Sequence, residues 1–490
     1  MEKNSSNFQQ VLWLSIGQLS SFALAFVSAA ILSRYFDKTE YGTYKQILFV
    51  YITLQTIFTV GLPGVFSYFI PRLNCGQQKA FINGLNKIFF ILGALFSLFL
   101  FLLSSPIAKF LNNPELAIGL KLFSPFPLLT FPAMGVEGIY TALRKSKYIA
   151  YYNVFSKVVM LLCIVLPVIF FNSSYKGAII GWGGASFLTF LLAMYMKNRP
   201  YTLTKKELIP NMYKTVFSYS LPLMGASVAG FFVNSADQLF ISKYYGTEVF
   251  AVYSNGAMSV PIIGMVIGSV KNVLLPLFSK AQLEGKMEGA MLTYNNAVER
   301  AVILIFPVLL FVIFFAVDIV KFIYGEQYAD SGIFLRYHVI RDFVDVFPFF
   351  AILMALGLSS VYMYIHIFGI VFIYILDFCV VKIGLSPIMV VVVSSLWAIL
   401  LRGYIFYYIY KKAKLNLINS YLIRRIGIVI LNCVICLACL LVLKYIVFIN
   451  FNSLMILMIS GVLFYLLLYL SGKLIGINYL EALSFLLKKK

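Results

Sequence analysis

Apolar runs of roughly twenty residues, enough to cross a bilayer as helix, recur from one end of this 490-residue chain to the other. In hydrocarbon every backbone N–H and C=O must be paired, so only helices and closed barrels can span. Barrel strands alternate apolar and polar residues over about ten positions, whereas these runs are continuous. The amino-acid content agrees, with 61% hydrophobic and 12% charged residues and a mean hydropathy of +0.92. Soluble chains sit near 45–50% apolar and about 25% charged. The chain reads as an all-α polytopic membrane protein.

Fourteen spans are predicted, at 10–33, 46–70, 82–104, 118–142, 149–171, 177–196, 214–241, 249–276, 293–317, 333–357, 361–383, 387–410, 425–449 and 453–472. The longest connections fall near 197–213 and 277–292, leaving no room for a soluble catalytic domain. The first run is too long for a cleaved signal and lacks a small-residue cleavage site, so no removable leader is expected. Lys and Arg concentrate in cytoplasmic loops. With the N-terminus inside, 26 of the 39 Lys and Arg fall on the cytoplasmic side and 12 on the other, with Lys157 unassigned within a helix. This bias predicts an even count with both termini cytoplasmic. The net charge of +21 then faces anionic headgroups, and no nucleic-acid partner is needed.

Cysteine carries little information. Cys433, Cys436 and Cys439 are evenly spaced in a predicted helix, but the fourth ligand of a cluster-binding run is missing. They read as small hydrophobes in packing. Asn4 and Asn172 head glycosylation-type triplets, a pattern common by chance.

Two short polar corners repeat. LSRYFDKTEYGTY (32–44) aligns without a gap with ISKYYGTEVFAVY (241–253), 209 positions later. Ser33/Ser242, Tyr35/Tyr244 and Tyr44/Tyr253 are identical, and Arg34/Lys243, Phe36/Tyr245 and Tyr41/Phe250 are alike. One reading is two independent interfacial turns, since aromatics gather at membrane interfaces. The reading favoured by the ungapped register is a parallel duplication of six helices, a known transporter plan with its substrate site near the midplane. The domains are then 1–208 (helices 1–6), 209–412 (helices 7–12) and 413–490 (helices 13 and 14).

The block FSYSLPLMGASVAGFFVNSADQLFISKYYGTEVFAVYSNGAMSVPI (217–262), with SVKNVLLPLFSKA (269–281) and ILSRYFDKTEYGTYKQI (31–47), resembles polysaccharide-export flippases. These belong to the multidrug/oligosaccharidyl-lipid/polysaccharide superfamily, which includes O-antigen and lipid II flippases. The resemblance implies two six-helix lobes, helices 13 and 14 appended, in a bacterial cytoplasmic membrane. The implied activity is alternating-access transfer of an undecaprenyl-diphosphate-linked oligosaccharide, with no catalytic residues. The implied partners are that lipid-linked glycan, membrane lipids and other assembly proteins in the membrane. No resident cofactor is implied, only a coupling Na+ or H+.

A diphosphate-glycan head crossing about 30 Å of hydrocarbon calls for a wet, cationic cavity, and intramembrane charges should face it. In predicted helix 10, His338, Arg341, Asp342 and Asp345 fall within about a third of the circumference. They read as a cavity-lining face with Arg341 as anion contact, or as a wet face beyond the interface. Lys157 and Lys271 read as diphosphate contacts or as snorkelling lysines. Arg34 and Lys243 are the repeat's paired cations or simple anchors. Glu137 is intramembrane, and Arg402 marks the inner part of helix 12. Some superfamily relatives bind sodium between helices 7, 11 and 12. Asp237, Asp377 and Ser394 fall on those helices, so the resemblance implies a cation site there. Prolines such as Pro63, Pro132, Pro222, Pro261 and Pro348 predict bends.

Two other classes compete. A cation-coupled multidrug antiporter shares the fold. A membrane glycan polymerase or glycosyltransferase needs a large extramembrane loop with acid/base groups, which this chain does not show.

Overall fold

The computed structural model describes residues 7–447, 451–479 and 481. Asn4, and Lys3 and Lys488–Lys490 among the cations counted above as cytoplasmic, lie outside the described residues. Among the described residues every regular element is helical. Eleven helices are long and apolar enough to span, or thirteen if each of two bent pairs counts as one.

Helix starts follow local chemistry. Asp37 caps Lys38–Phe58 by accepting from the Glu40 N–H at 2.8 Å, and Asn74 forms a reciprocal capping box with Gln77 at the head of Cys75–Phe110. Asn419 and Asn452 do the same work, accepting from Leu422 and Met455, for Ser420–Ile446 and Ser453–Ile475. Each side-chain oxygen satisfies an orphan donor of the first turn.

Two of the bends expected at prolines are found, whereas Pro222 lies inside the unbroken helix Met212–Asn234 and Pro261 at the start of Pro261–Glu284. The second span turns by 61° between Lys38–Phe58 and Leu62–Arg72, and the fourth by 47° between Glu115–Phe123 and Pro127–Ala142. Within the fourth, the chain breaks again at Met134 and Gly135, whose φ of +93° only glycine adopts without strain.

Three expectations are corrected. Predicted span 333–357 is no continuous helix: it divides into Ser331–Ile340, Asp342–Asp345 and Phe349–Ala355. Its charges at Arg341, Asp342 and Asp345 seek separate partners, and Pro348 cannot continue a helix. The count of fourteen continuous spans is therefore not reached among the described residues. The expected connection at 277–292 is helical, because Pro261–Glu284 runs on to Gly285 and Met287–Phe314 begins two residues later. Polar side chains there are a solvated helix surface, and only Gly285, at φ +68°, ends the helix. Finally, Lys197, expected in a cytoplasmic loop, is fully buried at the end of Tyr175–Asn198. Its ammonium donates to Asn86 Oδ1 at 2.9 Å and to the Pro132 carbonyl at 2.6 Å. It also lies over the rings of Phe66 and Phe89.

The chain divides into two compact units, unit 1 being Met1–Phe232 with Ile241–Ala251, and unit 2 being Val233–Phe240 with Val252–Lys490. Unit 1 is built on aromatic packing: Tyr51 stacks on Phe96 and tilts against Phe123 and Trp182. Unit 2 includes the last two spanning helices, and ion pairs tie the first of them, Ser420–Ile446, in place. Lys444 donates to Asp318 at 2.5 Å, and Arg425 and Tyr421 donate to Glu299 at 2.6 and 2.7 Å. Pairing is what makes such charges tolerable at membrane depth. Cys433 and Cys436 are buried in the same packing.

Candidate functional site

The break in the tenth predicted span controls the polar centre of unit 2. At the end of Ser331–Ile340, Arg341 turns inward and becomes almost fully buried. Its Nη2 donates to Asp237 Oδ2 at 3.2 Å, and its Nη1 reaches the Asn234 carbonyl at 3.5 Å. Asp237, 1% exposed, also accepts from the Gln238 N–H at 2.9 Å. His338 contacts the same guanidinium, at 3.1 Å through Nε2. A buried pair of this kind balances two desolvation costs that neither ion could bear alone.

Beside this pair lies a second buried carboxylate. Asp377 is completely buried and accepts from the Ser394 hydroxyl at 3.0 Å, while its Oδ1 has no hydrogen-bond partner among the described residues. Asp237 and Asp377 are near enough for their charges to interact. Of the three residues that the resemblance linked to a cation, Asp377 and Ser394 are hydrogen-bonded to each other, while Asp237 is paired with Arg341. The neighbouring Ser395 instead donates to the Tyr337 carbonyl at 2.9 Å.

A cavity of about 530 Å³ opens in unit 2, lined by Asp342, Asp345, Lys271, Arg402, His366 and Tyr362 among others. Arg402 grips Asp345 with two donors, Nε to Oδ1 at 2.5 Å and Nη2 to Oδ2 at 3.0 Å, the bidentate geometry in which an arginine–carboxylate pair is strongest. Helix 10 therefore does not present four residues on one face. Asp342 and Asp345 line the cavity, while Arg341 is not among its lining residues and His338 contacts Arg341. One further residue and one pairing matter here that the sequence reading missed. His366 Nδ1 donates at 2.9 Å to the Tyr362 carbonyl, and its only sequence signal is a titratable group inside an apolar helix. The Arg402–Asp345 pairing joins positions 57 apart, which no local pattern reveals.

Unit 1 holds a larger cavity of about 1040 Å³. Its wall carries a hydrogen-bonded line: Gln55 Nε2 donates to the Tyr51 hydroxyl at 3.0 Å, and Tyr51 shares a 2.9 Å hydrogen bond with Thr130. The edge of Trp182 closes on Tyr51, with ring centroids 5.9 Å apart. Glu137 lines the cavity and accepts from Asn153 Nδ2 at 2.8 Å. Lys157 lines both this cavity and a smaller one of about 170 Å³ that Lys45 also borders. Arg34 and Lys243 line none of these cavities; Arg34 is exposed, and the Lys243 ammonium sits 3.9 Å from the Phe110 ring centre.

In the two larger cavities the expected surplus of cations is not found among the described lining residues. Lys157 faces one acid, Glu137, in unit 1. In unit 2, Lys271 and Arg402 are matched by Asp342 and Asp345. Both cavities set a few polar groups in a largely apolar lining and are close to neutral, a chemistry suited to hydroxyl-rich ligands as much as to anions.

Comparison with known proteins places this geometry. A family model described as polysaccharide biosynthesis protein matches residues 8–282. The succinoglycan biosynthesis transport protein ExoT of Rhizobium meliloti (strain 1021) is 23% identical over 332 residues, covering 66% of this chain and 63% of that protein. The match thus spans less than two thirds of that relative's length. Among solved structures, the lipid II flippase MurJ in an inward closed conformation gives a TM-score of 0.65 at 17% identity, over 94% of this chain and 99% of that one. A MOP superfamily transporter from Pyrococcus furiosus gives 0.57 at 17% identity, over 83% of this chain and 96% of that one. The Vibrio cholerae MATE transporter VcmN also gives 0.57 at 17% identity, over 84% and 97%. Identities this low speak to the fold, and the fold is that of MOP superfamily transporters.

Proposed function

The chain belongs to the polysaccharide biosynthesis protein family, and from that premise we propose that it moves a polyprenyl-diphosphate-linked oligosaccharide across the bacterial cytoplasmic membrane by alternating access. The observation that carries the reading is the unit 1 cavity of about 1040 Å³. It is large enough for an extended ligand, and its wall offers amide and hydroxyl groups with an aromatic edge. Sugar rings are recognised by that combination: hydroxyls exchange hydrogen bonds, and apolar ring faces lie on aromatic side chains. Buried polar groups left unpaired by the wrong ligand would supply the discrimination.

Coupling is assigned to the cluster in unit 2. Asp377 Oδ1, buried without a donor, together with Asp237 and the Ser394 hydroxyl, makes an oxygen-only set suited to a hard cation. Two carboxylates, one already matched by Arg341, suit a monovalent ion such as Na+. A cation arriving there competes with Arg341 for Asp237. The exchange would release Arg341, which sits at the break between Ser331–Ile340 and Asp342–Asp345, so ion binding is linked to the geometry of the cavity-lining segment.

The near-neutral cavities also support a second reading. Glu137 and Asp342 are cavity carboxylates that suit a cationic solute, as a multidrug antiporter requires. Cells deleted for this protein separate the two. On the flippase reading, diphosphate-linked glycan accumulates in the inner leaflet and re-expression relieves it. Unchanged lipid-linked pools with altered sensitivity to cationic drugs establish the antiporter instead.

A further inference from the structure

Between Tyr175–Asn198 and Met212–Asn234 the chain runs through residues 199–211, on the face that the charge bias assigns to the cytoplasm. This stretch is fixed to the start of Cys75–Phe110. Lys79 donates to the Thr204 carbonyl at 2.8 Å, the Glu207 N–H donates to the Gly76 carbonyl at 3.1 Å, and Asn74 donates to Glu207 Oε2 at 2.8 Å. At Gly84 the Met212 methyl comes so close that a Cβ would meet it at 2.3 Å.

The arrangement leaves a hollow of about 340 Å³ against the helix, bordered by Lys87, Lys206 and Lys214 with Tyr213. No acidic residue lines it among the described residues, because the one acid of the stretch, Glu207, is held by Asn74. Apolar side chains stand beside the cations: Leu208 borders the hollow at 84% exposure, and Leu203 is 99% exposed. Fully exposed leucines are costly in water and gain by entering the acyl boundary of a bilayer. Three lysines around one hollow leave it a positive potential that attracts an anion. Both needs are met by one ligand.

We propose that this hollow binds the headgroup phosphate of an anionic phospholipid in the adjoining leaflet, with Leu203 and Leu208 inserted among its acyl chains. The site is separate from both cavities described above and does not depend on what the protein transports. Basic hollows at the ends of spanning helices are where anionic lipids are held. The Tyr213 hydroxyl adds a neutral donor beside the three ammonium groups.

The test is native mass spectrometry of the purified full chain, titrated with phosphatidylglycerol and separately with phosphatidylcholine. Wild-type protein should hold one phosphatidylglycerol tightly and phosphatidylcholine weakly. The variant Lys87→Gln/Lys206→Gln/Lys214→Gln should lose the tight adduct, by on the order of a hundredfold if each lysine contributes about fivefold. All three positions are exposed, so folding should survive, and Lys→Arg at the same positions should retain the lipid. A control carrying Lys411→Gln/Lys412→Gln/Lys414→Gln should bind as wild type. Equal affinity in the first variant, or equal loss in the control, overturns the site. Displacement of phosphatidylglycerol by an equimolar polyprenyl diphosphate would mark a substrate-capture site and overturn the phospholipid assignment.

Discussion

Thr39 donates to Glu248 Oε1 at 3.0 Å, and the two residues are 209 positions apart, the same offset that aligns the two polar corners. A residue meets its own repeat equivalent only where the local two-fold axis passes, as in an isologous interface. The contact joins the two aligned corners within unit 1. Around it, Asn113 donates to Gln46 at 2.7 Å and Gln46 donates to Ser242 at 3.0 Å, all buried. Phe49 packs on Phe250.

Gly42 is what lets the corners meet, since a Cβ there would sit 2.1 Å from the Thr247 carbonyl oxygen. Backbone cannot yield as a side chain can. Gly42→Ala should destabilise the protein by about 1–3 kcal/mol and separate the corners. Short-reach crosslinking of Thr39→Cys with Glu248→Cys, efficient in the parent, should fall when Gly42→Ala is added. Undiminished crosslinking would refute the close approach.

The Arg341–Asp237 pair is buried on both sides, at 7% and 1% side-chain exposure. Arg341→Leu strands Asp237 and should cost about 3–5 kcal/mol. Asp237→Asn/Arg341→Leu should recover part of that loss, because no net charge is then buried. A double-mutant cycle on thermal stability checks this, and strictly additive losses would show that the two side chains are uncoupled.

Lys197 is secured by Asn86, by the Pro132 carbonyl and by two phenylalanine rings. Pro132 ends its helix next to the Met134–Gly135 break, so its carbonyl lacks the usual helical donor. Lys197→Met keeps the volume but strands that carbonyl, and about 1–3 kcal/mol of stability should go with it. The exposed neighbour Lys205→Ala should change stability by less than about 0.5 kcal/mol. Equal melting temperatures for the two variants would remove the capping role.

Sodium should raise the thermal stability of the wild-type protein relative to choline, by about 1.4 kcal/mol at ten times the dissociation constant. Asp377→Asn should abolish that increment, and Ser394→Ala should shrink it. An increment that persists in Asp377→Asn would place the cation elsewhere.

What could be read from the chain alone divides by distance along it. The bend in the second span was legible because Pro63 enforces it locally, and the membrane class because length and apolarity suffice. Arg341 looked like a free anion contact because its partner, Asp237, is 104 positions away. Lys197 looked like a loop cation because Arg199 and Pro200 follow it at once, while its acceptors are 65 and 111 positions distant. The segment 277–292 looked like a loop because it is charged, yet charge alone does not break a helix. Asp377 stands out in the sequence because a carboxylate inside an apolar helix is costly, and the structure buries it against the Ser394 hydroxyl.

The most direct measurement uses purified protein in sealed vesicles containing the lipid-linked glycan that accumulates in deletion cells. A membrane-impermeant oxidant added outside reports how much glycan is exposed. The account predicts that vesicles with the protein expose nearly all of it, and that vesicles without it expose only the outward-facing share. Equal exposure with and without the protein, under an imposed sodium gradient of either sign, would contradict the account.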